Sequence, residues 1–346
     1  MTEQEQEQAW GGPLWSAADL ITPMAVRVAA TLRVADAITA GVTSGPELAA
    51  RLAVAADPLV RVLDHLVTAG FLRRGQDGTY ALTDAGQWLR EDHPQGIRAW
   101  IDLEGAVGHA DMSVVDLLHT VRTGEPAFPR HFGRGFWDDL AGHPGRAASF
   151  DALMGRQQAA GAASVAVAYD WSALDEVVDV GGGDGSLLIA LLRAHPALRG
   201  TVLDLASSAA AAARALAAAG LADRGRAQAG SFFEPLPAGA GGYILSRVLP
   251  DWDDDDARRI LRNCARAAWP NGKVLLVEDT GQRGSVSTEM DLRMLAYFLG
   301  RERSLGSLAG LARLAGLAPG TVTPARHRSI IEFLPDHTRG TSVIDP

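Results

Sequence analysis

The chain reads as an α/β protein, a doubly wound sheet of mainly parallel strands preceded by a smaller, mainly helical unit of winged-helix form. Three observations predict this. Between about residues 169 and 334, apolar runs of strand length alternate with helical patterns, as in successive βαβ units. The first of these runs, Glu176 to Val180, passes straight into glycines at 181, 183 and 185 and then into the apolar stretch Leu187 to Leu192, the strand-turn-helix form of a nucleotide-binding turn. Nearer the start, helix, helix and hairpin follow one another between Ser44 and Thr83.

Taken in order, residues 1–8 are acidic and polar and predict a disordered tail with neither the basic start nor the apolar core of a secretory signal. Ala17 to Leu32 and Ala35 to Ala40 are apolar at helical spacing, and Ser44 caps a further helix that begins Gly45-Pro-Glu-Leu. Asp57 to Gly70 is amphipathic, and Phe71 to Thr83 is a hairpin turning at Asp77-Gly78. Residues 13–95 are thus expected as one domain, 96–168 as a helical, aromatic-dotted linker and substrate roof, and 169–335 as the nucleotide-binding domain. In the last, strands are expected at 176–180, 201–205, 226–229, 243–248 and 273–278, with a closing hairpin near 320–334. The alanine-rich run Ala206 to Ala219 is a crossover helix, alanine being the best helix former. No periodicity follows Pro335, which predicts a loose end.

Composition narrows the function. At 346 residues, 47% apolar and 21% charged, the chain is long enough for two domains with a sizeable core. Its net charge of −9 argues against a nucleic-acid binder and against docking on anionic lipid, and leaves a small molecule as the expected partner. A winged helix does raise DNA binding, through Arg61, Arg73 and Arg74, but Asp57 and Asp64 share the helix that would read the groove. No window holds 18 uninterrupted apolar residues, so no membrane span is expected. The one cysteine, Cys264, lies in a helical pattern, forms no internal disulfide and fits a cytoplasmic location. The acids Asp253 to Asp256 read as a helix start and not as a metal site.

The glycine spacing separates two nucleotide classes. A dinucleotide fingerprint needs a third glycine at 186, where this chain has Ser186. About 20 residues on, Gly200-Thr-Val-Leu-Asp204 is a second strand ending in an acid, placed to accept both hydroxyls of a ribose. The form Asp179-x-Gly-x-Gly-x-Gly instead resembles motif I of the S-adenosylmethionine-dependent methyltransferases. With Leu203-Asp-Leu, Gly230-Ser-Phe-Phe-Glu, Leu249-Pro-Asp-Trp252, Pro270-Asn-Gly-Lys and Gly300-Arg-Glu-Arg303, the resemblance to small-molecule O-methyltransferases runs from Ala17 to about Leu334. It is nearest in texture to actinobacterial enzymes that tailor anthracyclines and other aromatic polyketides.

That resemblance implies roles. Asp179, Gly181 and Gly183 would border the methionine part of S-adenosylmethionine, Asp204 and Leu205 the ribose, Ser231 and Phe232 the adenine, and Ser246 and Arg247 the methionyl end. Met154, Gln157, Asp251, Met290, Arg293 and Met294 would face the acceptor, and Asp251, Glu278 and Glu302 would be the acids nearest the chemistry. The helical first domain would serve homodimerisation.

Two positions depart from the family pattern. Ser231 stands where an Asp usually meets the adenine, and Pro250 stands where the plant enzymes carry the general-base His. Proline accepts no proton, so methyl transfer is expected to rest on proximity and orientation of an acidic phenol, with Asp251 orienting the hydroxyl or taking its proton. The same change admits a second reading, a relative that keeps S-adenosylmethionine but hydroxylates, decarboxylates or cyclises.

Overall fold

The computed structural model describes residues 12–279 and 287–337. The expected N-terminal tail lies outside them, as does the end of the chain beyond residue 337. Two compact units are present: residues 12–112 with Pro144–Phe150, and Ser113–His143 with residues 151–337.

The smaller unit is helical with one hairpin. Ser44 caps the helix Gly45–Leu52, accepting the Glu47 N–H at 3.4 Å. The helix Ala56–Thr68 buries Leu59, Leu63 and Leu66 at the i, i+4, i+7 spacing of one face. It leads into β1 (Leu72–Arg74) and β2 (Tyr80–Leu82), which pair antiparallel with Arg74 opposite Tyr80. This is the hairpin expected from Asp77-Gly78. Arg74 pairs with Asp64 at 2.9 Å, and Asp64 also accepts the Tyr80 hydroxyl at 2.7 Å. The run Ala17 to Leu32, expected as a single helix, breaks into Gly12–Ala18 and Ile21–Thr31. Pro23 is the reason: it has no N–H to give and its ring collides with the carbonyl four residues back, so it is tolerated only in a first turn.

The larger unit holds the seven-stranded sheet, ordered β5-β4-β3-β6-β7-β9-β8. Here β3 is Glu176–Val180, β4 Arg199–Asp204, β5 Gly225–Ala229, β6 Gly242–Ser246, β7 Lys273–Glu278, β8 Leu317–Ala325 and β9 Arg328–Pro335. Strands β3 to β7 run parallel, whereas β9 returns antiparallel to β7 and pairs with β8. The chain leaves β3 towards β4 and β5 and then crosses to β6 and β7, so the order reverses between β3 and β6, the crevice where open sheets bind ligands.

Alternation divides the strand residues between two apolar cores. Val178, Tyr243, Leu245, Val274 and Leu276 pack with the helices Asp254–Ala268 and Leu305–Leu314. Val177, Ile244, Leu275 and Val277 pack on the other face with Ser186–Ala194, Ala206–Ala218 and the end of Pro144–Ala168. Fully buried leucines such as Leu188 and Leu191 each contribute about 1.5–3 kcal/mol. Asp179 shares the parity of Val177 and is 0% exposed, a carboxyl on a face otherwise aliphatic.

Candidate active site

The glycine turn closes the end of β3. Gly181, Gly183 and Gly185 have φ of 72°, 58° and 80°, the left-handed region in which a side chain is strained. Gly181 also has no room: a Cβ there would stand 2.8 Å from Val248 Cγ2 and 3.4 Å from Phe232 Cε1. The Phe232 ring therefore lies directly beside the turn. Its loop is pinned from the helix Asp254–Ala268, where Asn263 donates to the Phe232 carbonyl at 2.9 Å and Arg259 to that of Phe233 at 3.1 Å.

Asp204 ends β4 and binds the turn from the side. One carboxylate oxygen accepts the Gly183 N–H at 2.8 Å and the other the Leu205 N–H at 2.6 Å. A carboxylate has about four acceptor sites, so two remain for hydroxyl donors. Burial raises the Asp204 pKa, against the pull of those two N–H groups. Beneath the turn, neither oxygen of Asp179 has a hydrogen-bond partner. Burial pushes its pKa up to about 7, with the charges of Asp204 and Asp184 adding to the effect.

A second cluster gathers at the ends of β6 and β7. Strand β6 stops one or two residues earlier than its apolar pattern suggests, because Arg247 takes a φ of 58° and leaves the extended region. The guanidinium then turns inward, donating to both oxygens of Glu302 at 2.9 and 3.2 Å, and stands 3.7 Å from Glu278 and 3.5 Å from Asp279. Burial alone would lower the Arg247 pKa; the carboxylates, Glu278 first, more than reverse this. Glu278 is 4% exposed with Oε1 unbonded, and burial pushes its pKa up to about 8 despite Arg247.

Next along the chain, Leu249–Asp251 forms one turn of 3-10 helix with Pro250 in its first turn. Arg303 clamps this turn, donating to the Leu249 carbonyl at 2.7 Å and to the Trp252 carbonyl and Asp254 at 2.8 Å each. Gly300 packs so closely that a Cβ would come 2.2 Å from the Pro250 carbonyl oxygen, and the Arg301 N–H donates to that oxygen at 2.8 Å. Asp251 is hemmed in by protein while part of its surface still reaches solvent. Burial pushes its pKa up to about 7, Arg247 opposing and Glu302 adding. It lines a cavity of about 340 Å³ whose walls include Phe136, Trp137, Trp252, Tyr297 and Phe298.

Comparison with known proteins decides the family. The model of the O-methyltransferase domain matches residues 114–318, and that of the O-methyltransferase dimerisation domain matches residues 15–92. The chain belongs to the O-methyltransferase family. It is 52% identical over 316 residues, 91% of this chain and 95% of the relative, to 2,7-dihydroxy-5-methyl-1-naphthoate 7-O-methyltransferase of Streptomyces carzinostaticus. It is 44% identical over 91% of its length to aclacinomycin 10-hydroxylase RdmB of Streptomyces purpurascens, 88% of which is covered. Among solved structures, the O-methyltransferase NcsB1 from neocarzinostatin biosynthesis, in complex with S-adenosylmethionine and 2-hydroxy-5-methyl naphthoic acid, superposes with a TM-score of 0.90. It is 51% identical, covering 94% of this chain and 100% of that one.

In this O-methyltransferase the residues expected at the cofactor fall into two groups. Asp179, Gly181, Gly183, Asp204 and Phe232 converge on the turn, and the Ser231 hydroxyl accepts the Phe233 N–H of its own loop at 3.2 Å. Leu205 is 64% exposed and contributes its N–H. Arg247, expected at the methionyl end, is engaged by Glu302 and its neighbours, and the Ser246 hydroxyl accepts from Gln158 at 3.2 Å. Of the acceptor-side residues, Gln157 is exposed and Met154 and Met290 are half-buried. Met294 is 9% exposed, and Arg293 reaches Glu289 at 2.6 Å.

The inward residue beside Gln157 is Gln158, which binds both Ser246 and Arg328. Gln158, Arg328 and Asp279 carry no motif and were not expected at the site, whereas Arg303 belongs to the Gly300-Arg-Glu-Arg303 motif without its clamping role being legible there. Their signal is only a polar residue on an otherwise small-residue helix or strand. The residues present suit S-adenosylmethionine: a turn that glycine alone can occupy, a two-acceptor carboxylate at β4, and a buried acid lacking a partner.

Proposed function

We propose that this O-methyltransferase transfers a methyl group from S-adenosylmethionine to a phenolic hydroxyl of a flat, polyketide-type aromatic compound such as a dihydroxynaphthoate, and that it works as a homodimer. The observation that carries the reading is Asp251, a carboxyl poised near neutrality on the wall of an aromatic cavity, next to the proline that stands in the place of the family's His. S-adenosylmethionine, when bound, supplies a methyl on a sulfonium sulfur that departs as a neutral thioether. Asp204 holds ribose hydroxyls, the glycine turn admits the ligand against the backbone, and Phe232 flanks the adenine. Arg303 and Gly300 hold the Leu249–Asp251 turn so that the Asp251 carboxylate faces the acceptor.

The phenol oxygen forms the new bond to carbon, the carbon–sulfur bond breaks, and the phenol proton passes to Asp251. Orientation supplies most of the acceleration and the base about 10²- to 10⁴-fold. Glu278 and Glu302 act through Arg247, which keeps the charge near Asp251 balanced. The domain division reads as 13–95 for dimerisation, 96–168 for linker and roof, and 169–335 for the donor site.

The 44% identity to a 10-hydroxylase favours one second reading, a family member that keeps the donor and transfers no methyl. Incubation with methyl-deuterated S-adenosylmethionine and a dihydroxynaphthoate separates the two. The proposal predicts one S-adenosylhomocysteine per product and a labelled methyl on the product. Consumption of the naphthoate with the donor intact establishes the second reading instead.

A further inference from the structure

Three polar side chains from three separate elements meet at the crevice between β3 and β6. Ser246 ends β6 and is 4% exposed, and the register that pairs Asp179 with Ile244 brings it level with Gly181 of the turn. The helix Pro144–Ala168 passes the turn at Gly155, where a Cβ would stand 2.6 Å from Asp184 Oδ2. Three residues on, and so on the same face, Gln158 reaches Ser246. Arg328, the first residue of β9, reaches the same glutamine. Gly161 makes room for it, since a Cβ there would stand 2.9 Å from Arg328 Cζ, and Asp279 holds the guanidinium at 3.5 Å.

Hydrogen-bond chemistry gives this chain of contacts one direction. A guanidinium only donates, so the Gln158 atom that Arg328 meets at 2.6 Å is the amide oxygen. The amide nitrogen then faces Ser246, 3.1 Å from its carbonyl oxygen and 3.2 Å from its hydroxyl oxygen. Both amide hydrogens are thereby used. The Ser246 hydroxyl accepts one of them and keeps its own proton to give. Among the described residues its one acceptor is Gln158 Oε1 at 3.4 Å, an atom Arg328 already holds, and a sound O–H···O bond spans only about 2.5–3.0 Å.

The order of strand ends decides what that proton meets. Across the sheet they run β5, β4, β3, β6, with Phe232 on the loop after β5 and Asp204 at the end of β4. With adenine and ribose at those two, the amino-acid arm of the donor reaches β3 and β6. Of the arm's two polar groups the ammonium only donates, so a hydroxyl fixed as a donor selects the carboxylate.

We propose that Arg328 is a positioning residue for the methyl donor: by fixing the Gln158 amide, it makes the Ser246 hydroxyl a dedicated donor to the amino-acid carboxylate of S-adenosylmethionine. The inference rests on the cofactor reading above and extends it to a strand that carries no motif.

The test is calorimetric titration of the full-length protein with S-adenosylmethionine and with its decarboxylated analogue. Wild type, Ser246→Ala, Arg328→Met and the double variant are compared. Ser246→Ala is expected to weaken donor binding about ten-fold and Arg328→Met about three- to ten-fold, with the analogue held within about two-fold in each. In the double variant the loss should equal that of Ser246→Ala alone, because Arg328 acts through that hydroxyl. Additive losses, an equal loss for both compounds, or no loss make Arg328 a support of the fold only and overturn the proposal. Gln158→Met, at a half-buried helix position, carries the same comparison if Arg328→Met binds neither compound. Wild type that binds the analogue as tightly as the donor also overturns the proposal, whereas wild type that binds neither overturns the cofactor reading itself.

Discussion

Asp179 is a fully buried carboxyl with no hydrogen-bond donor, and its energetic consequence is specific. Its pKa in the folded protein, about 7, lies above that of the unfolded chain, so between about pH 4 and 7 the folded state binds the extra proton. Stability from this group therefore falls as pH rises through that window. Asp179→Asn is predicted to stabilise the ligand-free protein at pH 7.5, on the order of 2–4 kcal/mol, and to flatten its melting temperature between pH 5 and 7.5. Scanning calorimetry at the two pH values checks this, and an unchanged slope counts against the assignment. Asp204 could be read from sequence because its place, the end of the second strand, is fixed by strand length alone. Gln158, Arg328 and Asp279 could not, because they meet only after three separate elements pack, and no spacing along the chain records that.

At the scale of elements, the run Gly300 to Arg303 and the turn Leu249–Asp251 act as one piece. Gly300→Ala places a methyl against the Pro250 carbonyl and is predicted to lower kcat at least ten-fold while leaving affinity for S-adenosylmethionine within about two-fold. Arg303→Ala, which removes donors to the Leu249 and Trp252 carbonyls and to Asp254, is predicted to do the same and to cost about 2–3 kcal/mol of stability. Single-turnover kinetics beside calorimetric binding measures the split; loss of binding in step with kcat would contradict it. The sequence marked Gly300-Arg-Glu-Arg as a motif but not as a clamp, since the clamp depends on carbonyls, which every residue has. Strand ends were legible to within a few residues, and where β6 stopped early the cause was one left-handed residue, Arg247.

At the scale of the whole molecule, alternation of strands and helices was enough to give the doubly wound sheet. The reversal between β3 and β6 then places the glycine turn, the Asp204 strand end and the Arg247 cluster along the carboxyl ends of adjacent strands. In the dimerisation domain Leu14, Leu20 and Ile21, in and between the first two helices, are 76%, 60% and 65% exposed. Leu20→Asp combined with Ile21→Asp is predicted to shift the protein towards monomer in analytical ultracentrifugation at micromolar concentration; an unaltered sedimentation coefficient places the dimer contact elsewhere. Among the described residues no helix is long and apolar enough to cross a membrane.

The central claim is that Asp251 takes the proton that a His takes in the plant relatives. Single-turnover methyl transfer at saturating donor and acceptor, measured from pH 5 to 9, addresses it. Only the ionised carboxylate accepts a proton, so the rate in wild type should rise with pH through a midpoint near 7 and then level. Asp251→Asn should be about 10²- to 10⁴-fold slower at pH 7 and lose that limb, keeping only the rise that follows ionisation of the phenol itself. A variant that retains both the wild-type rate and the limb near pH 7 would contradict the account.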